Sequence, residues 1–338
     1  MSSTRRPQSD MEKALHHAQA SNNGTSSSSS PSRPIAPSKH RYKATTQPFI
    51  GRLGGNQDFA LDGTDSENAS KIKSVPDAAP CMPLRDQMDL NGFRSPGLWK
   101  AAVLEGMGTM LLNFTTIYIN ISPAEPPPER PSPRFGTFNN ATFIGPLVGG
   151  LTSWLLVTLF TYTFGALTGA HLNPAITMAT FFARLCTLPR MILYVSFQTG
   201  SSALAGLLIR AAYGTRFFKT GGCWLVTSEV SVSSAFVIEL MTCTTLLFLA
   251  FGVGLDPRQK AVIGPSLGPV LVGLTVGVLS FGIGFGRYGF GGASVNPARC
   301  FGAFVGSRFP GWHWINWCVF IPRRPTFVPA VTDTGKRR

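Results

Sequence analysis

The sequence predicts an all-α membrane protein built as an inverted repeat, with three transmembrane helices and one re-entrant half-helix in each half. Three observations carry this expectation. From Phe135 to Ala183 there are 49 consecutive residues without Lys, Arg, Asp or Glu, against the roughly 20 that one bilayer crossing needs. The tripeptide Asn-Pro-Ala interrupts apolar sequence twice, at Asn173-Pro174-Ala175 and, 123 residues later, at Asn296-Pro297-Ala298. A single acid lies in the leading apolar segment of each half, Glu105 and Glu239. Asn caps free helix N–H groups and Pro suits the first helical turn, so each tripeptide reads as a helix start placed at bilayer depth.

Only 14% of the 338 residues are charged while 44% are hydrophobic; a soluble domain carries about 25% charge. Residues 1–96 are the exception, rich in Ser, Pro, Lys and Arg with the run Ser26 to Ser30. That composition is expected to give a disordered cytosolic tail, with Phe59-Ala60-Leu61 its one short apolar patch. A membrane domain over 97–321 and a basic irregular tail over 322–338 complete the division. The formal net charge of +14 is scattered over tails and loops without a nucleic-acid-binding motif, which suits flanks lying beside anionic lipid. The six Cys show no C-x-x-C spacing, so neither a zinc site nor a disulfide framework is expected. The first 30 residues lack an apolar core and are not expected to be a cleavable signal.

The first span runs over 96–121 and holds Glu105. A carboxylate at that depth costs about 2.5–3.5 kcal/mol, so it should face the protein interior and have partners. A Pro-rich loop follows from Pro123 to Pro133, flanked by the glycosylation triplets Asn120-Ile121-Ser122 and Asn140-Ala141-Thr142. The uncharged run then holds a second span, 142–163, and a half-helix from Pro174 to Ala183, which would rise about 15 Å, half of a roughly 30 Å core. After a turn bracketed by Arg184 and Arg190, the third span covers 191–209 and carries Gly200, Ser201, Ser202, Ala203 and Gly206 as a small face for close packing. A basic loop, a fourth span over 231–255 with Glu239, a fifth uncharged run over 261–286 and a second half-helix from Pro297 to Val305 repeat the order. Three crossings per half set the halves in opposite orientation. The closing sixth span is truncated or altered: apolar sequence from Gly311 to Ile321 meets Pro322-Arg323-Arg324-Pro325 after about 16 Å of helix. Lys71, Lys73, Arg85 and Arg94 ahead of the first span, with Arg258 and Lys260, outweigh Arg210, Arg216 and Lys219 and place the N-terminus in the cytosol.

Irregular backbone at membrane depth persists only where it is buried or lines a wet cavity. Two half-helices meeting N-terminus to N-terminus would each bring roughly half a positive charge to the midplane. Such a site repels cations, breaks a proton relay through water and lets neutral hydrogen-bonding solutes pass. Arg299, one turn into the second half-helix, adds a full charge.

These residues resemble the paired boxes of the aquaporins, or major intrinsic proteins. The similarity covers 97–318 and includes Glu105 and Glu239; the form Asn296-Pro297-Ala298-Arg299-Cys300 is similar to the X-intrinsic subfamily of fungi and plants. The resemblance implies six tilted helices with two half-helices, one pore per subunit and a homotetramer. It implies that Glu105 and Glu239 hold the loops carrying the half-helices. His171, with no second ligand in view, reads as a loop-stabilising or cytosolic-mouth residue rather than a metal ligand. It also implies a narrowest ring of Arg299, Ala293, Ser153 (with Trp154 the alternative one residue on) and Gly284 or Gly282. Ser, Gly, Ala and Arg make a wide ring, which points to glycerol, urea or hydrogen peroxide beside water. Trp154 in place of Ser153 would give a ring like that of glycerol channels. Cys300 reads as a small packing residue, with thiol-based modulation its alternative role.

The expected partners are membrane lipid and small neutral solutes, without nucleic acid; the expected site is the plasma membrane. No nucleophile–base pair, metal cluster or cofactor loop appears, so no cofactor and no enzyme is expected. Two rivals stand beside a passive channel. An ion-coupled transporter would want ion ligands beside the half-helices. A non-conducting, mis-spliced paralogue would explain the altered sixth span.

Overall fold

The computed structural model describes residues 48–80, 82–123 and 143–317. Its frame is made of helices α1 (Pro96–Ile119), α2 (Ile144–Thr168), α3 (Pro174–Phe182), α4 (Leu188–Tyr213), α5 (Val232–Gly254), α6 (Gly264–Gly284) and α7 (Pro297–Gly306). Of these, α1, α2, α4, α5 and α6 are long and apolar enough to cross a bilayer. At 9 and 10 residues, α3 and α7 are half-helices of about 15 Å. Chain direction alternates, so α3 returns to the face on which the described chain begins, here the N-terminal face, and α7 returns to the opposite one.

Between lipid-embedded helices there is little hydrophobic driving force, and close backbone approach takes its place. Gly106 of α1 lies against Phe197 and Ser201 of α4. Gly273 and Gly277 of α6 lie against Thr158 and Trp154 of α2. The tightest seam joins α4 to α7, where a Cβ added to Gly206 would collide with the Gly302 carbonyl and one on Gly306 with that of Gly206. The outward faces are apolar: Leu147, Leu151, Leu155 and Leu159 recur every four residues on α2, each 42–59% exposed. At the outer end of α1, β1 (Ile121–Pro123) pairs antiparallel with β2 (Phe218–Thr220), tying the α4–α5 loop to α1.

The expected structureless tail over 1–96 is corrected for its described part. Residues 48–80 and 82–95 pack on the N-terminal face, with Phe49, Ile50, Leu53, Ala78, Ala79 and Met82 all buried. The segment 50–61 forms a strap closed at its neck by Ile50 N–H donating to Asp77 O (2.9 Å) and Leu61 N–H to Ala78 O (2.6 Å). Asp77 then accepts from Arg190 of α4 at 2.6 Å and 3.1 Å, a buried ion pair extended through Tyr194 to the Thr168 carbonyl. Gln87, in the short helix Leu84–Gln87, donates to Phe181 O (2.5 Å). Average composition hides this because a few apolar anchors are dispersed among polar residues. Residues 1–47 and 322–338 lie outside the described residues, as does the Asn140 triplet. The Asn120 triplet falls at the end of α1, where Asn120 is half-buried and donates to Thr116 O.

Among the described residues five helices can cross a membrane, in keeping with an all-α fold of this type; the end of the expected sixth span, 318–321, lies outside the described residues. After α7 the chain makes one 3-10 turn, His313–Asn316. It buries Ile315 against Val230, Ala235 and Phe290, and Asn316 hydrogen-bonds Glu239.

Removing one partner of a buried ion pair leaves an uncompensated charge, typically destabilising by about 3–5 kcal/mol. Asp77→Ala should therefore lower the thermal midpoint of the detergent-purified protein markedly. Asp77→Ala/Arg190→Met should recover most of the loss, and equal midpoints for both variants would contradict the pairing.

Candidate functional site

The two half-helices meet at depth, and their boxes bond to each other reciprocally. Asn173 Oδ1 accepts from Ala175 N–H (2.8 Å) and Asn296 Oδ1 from Arg299 N–H (3.3 Å), so each amide caps its own helix. The Nδ2 groups cross over: Asn173 donates to Val295 O (2.8 Å), Asn296 to Leu172 O (3.1 Å). Pro174 and Pro297 occupy the first helical position, Ala175 and Ala298 are fully buried behind them.

Those carbonyls are presented because Leu172 (φ 50°) and Val295 (φ 48°) are both left-handed. Such backbone costs roughly 1–3 kcal/mol in a non-glycine residue and persists only where its surroundings over-determine it. The two glutamates do so. Glu239 accepts from Ser294 N–H (2.9 Å) and Val295 N–H (3.0 Å). Glu105 accepts from Leu172 N–H, Thr168 Oγ1 (2.5 Å) and Gln198 Nε2 (2.9 Å). His171 sits beside this loop, Nδ1 at 3.1 Å from Thr177 Oγ1 and Nε2 at 2.9 Å from Gly51 O. Both nitrogens are thus occupied within the chain, and no metal-binding cluster occurs among the described residues.

Around the crossing lies a cavity of about 600 Å³ lined by residues of both halves. Ser153, Gly284, Ala293 and Arg299 all border it. Gly282 does not: it is absent from the wall and has open space where a side chain would stand. Trp154 also points elsewhere, packing on Gly277 and donating Nε1–H to Val270 O (3.2 Å). Arg299 donates to Gly221 O (2.8 Å). Beside it, Cys300 is joined to Cys223 in a disulfide.

This corrects the reading of Cys300 as a packing or modifiable thiol and of a chain without disulfides. The partners are 77 residues apart, and no spacing rule registers them because the α4–α5 loop folds back over α7. Sequence reasoning also missed part of the wall. Asn113 and Thr116 of α1 and its C-cap Asn120 border the cavity; their spacing of i, i+3 and i+7 along an apolar segment was the available signal. Asn113 Nδ2 donates to Ser202 Oγ (2.9 Å), which donates to Ala298 O (2.6 Å). The Ser202 proton is therefore committed, and Asn113 Oδ1 is left as a buried acceptor without a partner among the described residues. Trp224, from the α4–α5 loop, and Leu53, from the strap, also reach the wall.

Outside the spans, Arg52 and Asp256 on the N-terminal face are among the perturbed groups. Burial lowers the Arg52 guanidinium from its ordinary pKa, partly countered by Asp58. Hydrogen bonding from Arg258 holds the Asp256 carboxyl below the usual range.

Fold and site together define an inverted-repeat membrane protein whose halves meet through paired re-entrant half-helices. Comparison with known proteins gives that class its family. A model of the major intrinsic protein family matches residues 92–321, and the chain belongs to that family. It is 30% identical to Aquaporin-B of Dictyostelium discoideum over 51% of this chain and 66% of that protein. It is 36% identical to the probable aquaporin TIP4-1 of Oryza sativa subsp. japonica over 44% and 55%. With the probable aquaporin PIP2-7 of the same plant it shares 28% over 78% and 88%. The chain thus spans just under two thirds and about half of the first two relatives.

Glu239→Ala would orphan the Ser294 and Val295 amides, each at about 1–3 kcal/mol. A clear drop in thermal midpoint is expected, with a smaller drop for Glu239→Gln, which keeps one acceptor. Mass spectrometry of an unreduced digest should recover the peptides of Cys223 and Cys300 as one linked species, and finding both with free thiols would contradict the disulfide.

Proposed function

We propose that this protein is a passive channel for water and small uncharged solutes, with glycerol the leading candidate and urea and hydrogen peroxide in the same class. The observation that carries the reading is the cavity bordered at once by the crossed Asn173 and Asn296 amides, by Arg299 and by the small residues Ser153, Gly284 and Ala293. Two helix N-termini and a guanidinium oppose cations and the hopping of protons along water. Neutral solutes meet amides, hydroxyls and carbonyls. Small side chains opposite Arg299 leave room for a three-carbon polyol, and the acceptor stripe of Asn113, Thr116 and Asn120 suits its hydroxyls. The names of the three relatives given above, each an aquaporin or probable aquaporin, agree with this reading.

Further properties belong to the same proposal. The channel is of the X-intrinsic type, on the strength of the Cys that follows Arg299, and it assembles as a homotetramer in the plasma membrane. Its N-terminus is cytosolic. The Cys223–Cys300 disulfide lies on the opposite face, and disulfides form and persist in oxidising compartments. A second reading, a non-conducting paralogue, is favoured by one feature. Ala179 and Ala183 of the α3 region stand 123 positions before Gly302 and Gly306, yet no described helix packs there as α4 packs on α7.

Stopped-flow light scattering on proteoliposomes tests the channel. The full chain and a chain beginning at residue 62 should both be measured, since the strap lies over the pore. At least one should exceed empty vesicles in water and glycerol permeability; neither doing so would sink the proposal in favour of the non-conducting reading. Ser153→Trp should reduce glycerol permeability by about tenfold, roughly 1.4 kcal/mol of added barrier, while water permeability falls less.

A further inference from the structure

The strap closed at its neck by residues 77–78 has its tip in the mouth of the cavity. Leu53 N–H donates to Gly169 O (2.9 Å) at the end of α2, and Asn56 N–H donates to Gly254 O (2.9 Å) at the end of α5. Asn56 Nδ2 adds bonds to Val253 O (3.3 Å) and Asp256 O (3.1 Å). Gly54 lies against Gly268 and Pro269 at the start of α6. Gly51 fills the remaining side, its carbonyl on His171 and its Cα beside the Leu185 carbonyl. One short segment therefore touches the ends of α2 and α5, the start of α6 and the loops on both sides of α3. Gly54 (φ 76°), Asn56 (φ 45°) and Gln57 (φ 62°) are left-handed, which coils the tip tightly enough to fit; Gly and Asn are the residues that adopt this backbone most readily.

Leu53 is both 4% exposed and part of the cavity wall, together with His171 and Asn173. An isobutyl group offers a passing solute no hydrogen bond, and hydrophobic constrictions close pores to water. The strap is nonetheless no part of the spanning frame. Its outer attachment is an exposed ion pair, Lys260 Nζ to Asp58 (2.5 Å), and such pairs contribute about 0–1 kcal/mol. The firm anchor, Asp77 with Arg190, lies at the neck. A neck fixed by a buried charge pair, and a tip seated by hydrogen bonds on the helix ends rather than built into them, are the parts of a hinged lid.

We propose that residues 50–61 are an autoinhibitory plug, with Leu53 as the residue that closes the pore on the N-terminal face and the Asp77–Arg190 pair as its hinge anchor. The plug rests on the channel reading given above, and the same vesicles separate the two. Water permeability per protein is measured for the full chain, for Leu53→Ala/Asn56→Ala and for the chain beginning at residue 62. The plug requires a low value for the full chain and a rise of about tenfold in both variants. Equal permeability in all three, above empty vesicles, overturns the plug and leaves the channel standing. Flux in none of them, from protein that is monodisperse and helical by circular dichroism, overturns the channel and the plug with it. A measurement on the unaltered chain guards against misfolded variants. Trypsin should cut after the exposed Lys71 and Lys73 well before the half-buried Arg52; cleavage after Arg52 at the same rate would show an open strap and overturn the proposal.

Discussion

Backbone polar groups at the centre of a bilayer have no water to turn to, and every non-helical residue there must find its partner within the protein. The loops leading into α3 and α7 meet that constraint by borrowing from one another. Each box asparagine uses its oxygen to cap its own helix and its nitrogen to satisfy the backbone of the other half. Neither half-helix could be held in this way alone. The left-handed turns at Leu172 and Val295, the glutamates beneath them and the glycine seam between α4 and α7 all serve to bring the two loops within reach of this exchange.

The same arrangement explains why the glutamates tolerate their position. A carboxylate at that depth needs several donors, and strained loops expose N–H groups that need acceptors. Glu105 and Glu239 answer both needs at once, the first with help from Thr168 and Gln198, the second with help from Asn316. The halves are therefore matched in their braces although they differ in their surroundings, α7 being sheathed by α4 while α3 has no described counterpart.

Much of this was legible in the sequence because its signals are local. Asn before Pro gives a capped helix start, a long uncharged run gives depth, and one acid per half gives a brace. The parts that were not legible depend on distant segments meeting. Cys223 and Cys300 become neighbours only after the α4–α5 loop folds over α7. Ser153 and Gly284 fall on the cavity while Trp154 and Gly282 turn away, a distinction set by helix rotation that spacing alone leaves open. The strap is the largest omission. Phe49, Ile50 and Leu53 are few among polar neighbours, and their burial comes from a ready-made concave mouth rather than from any periodic pattern of their own.

The disulfide has a consequence in time as well as in space. Between Cys223 and Cys300 lie α5, α6 and the loop that dives into the membrane before α7. The two sulfurs can meet only when α5 has crossed, α6 has returned and the second box has folded inward from the far side. The bond therefore closes only after α5, α6 and the second box are in place, and a chain that carries it has inserted at least as far as α7. A chain stalled before α7 would keep a free Cys223 thiol on the far face, a chemical mark by which immature molecules differ from finished ones.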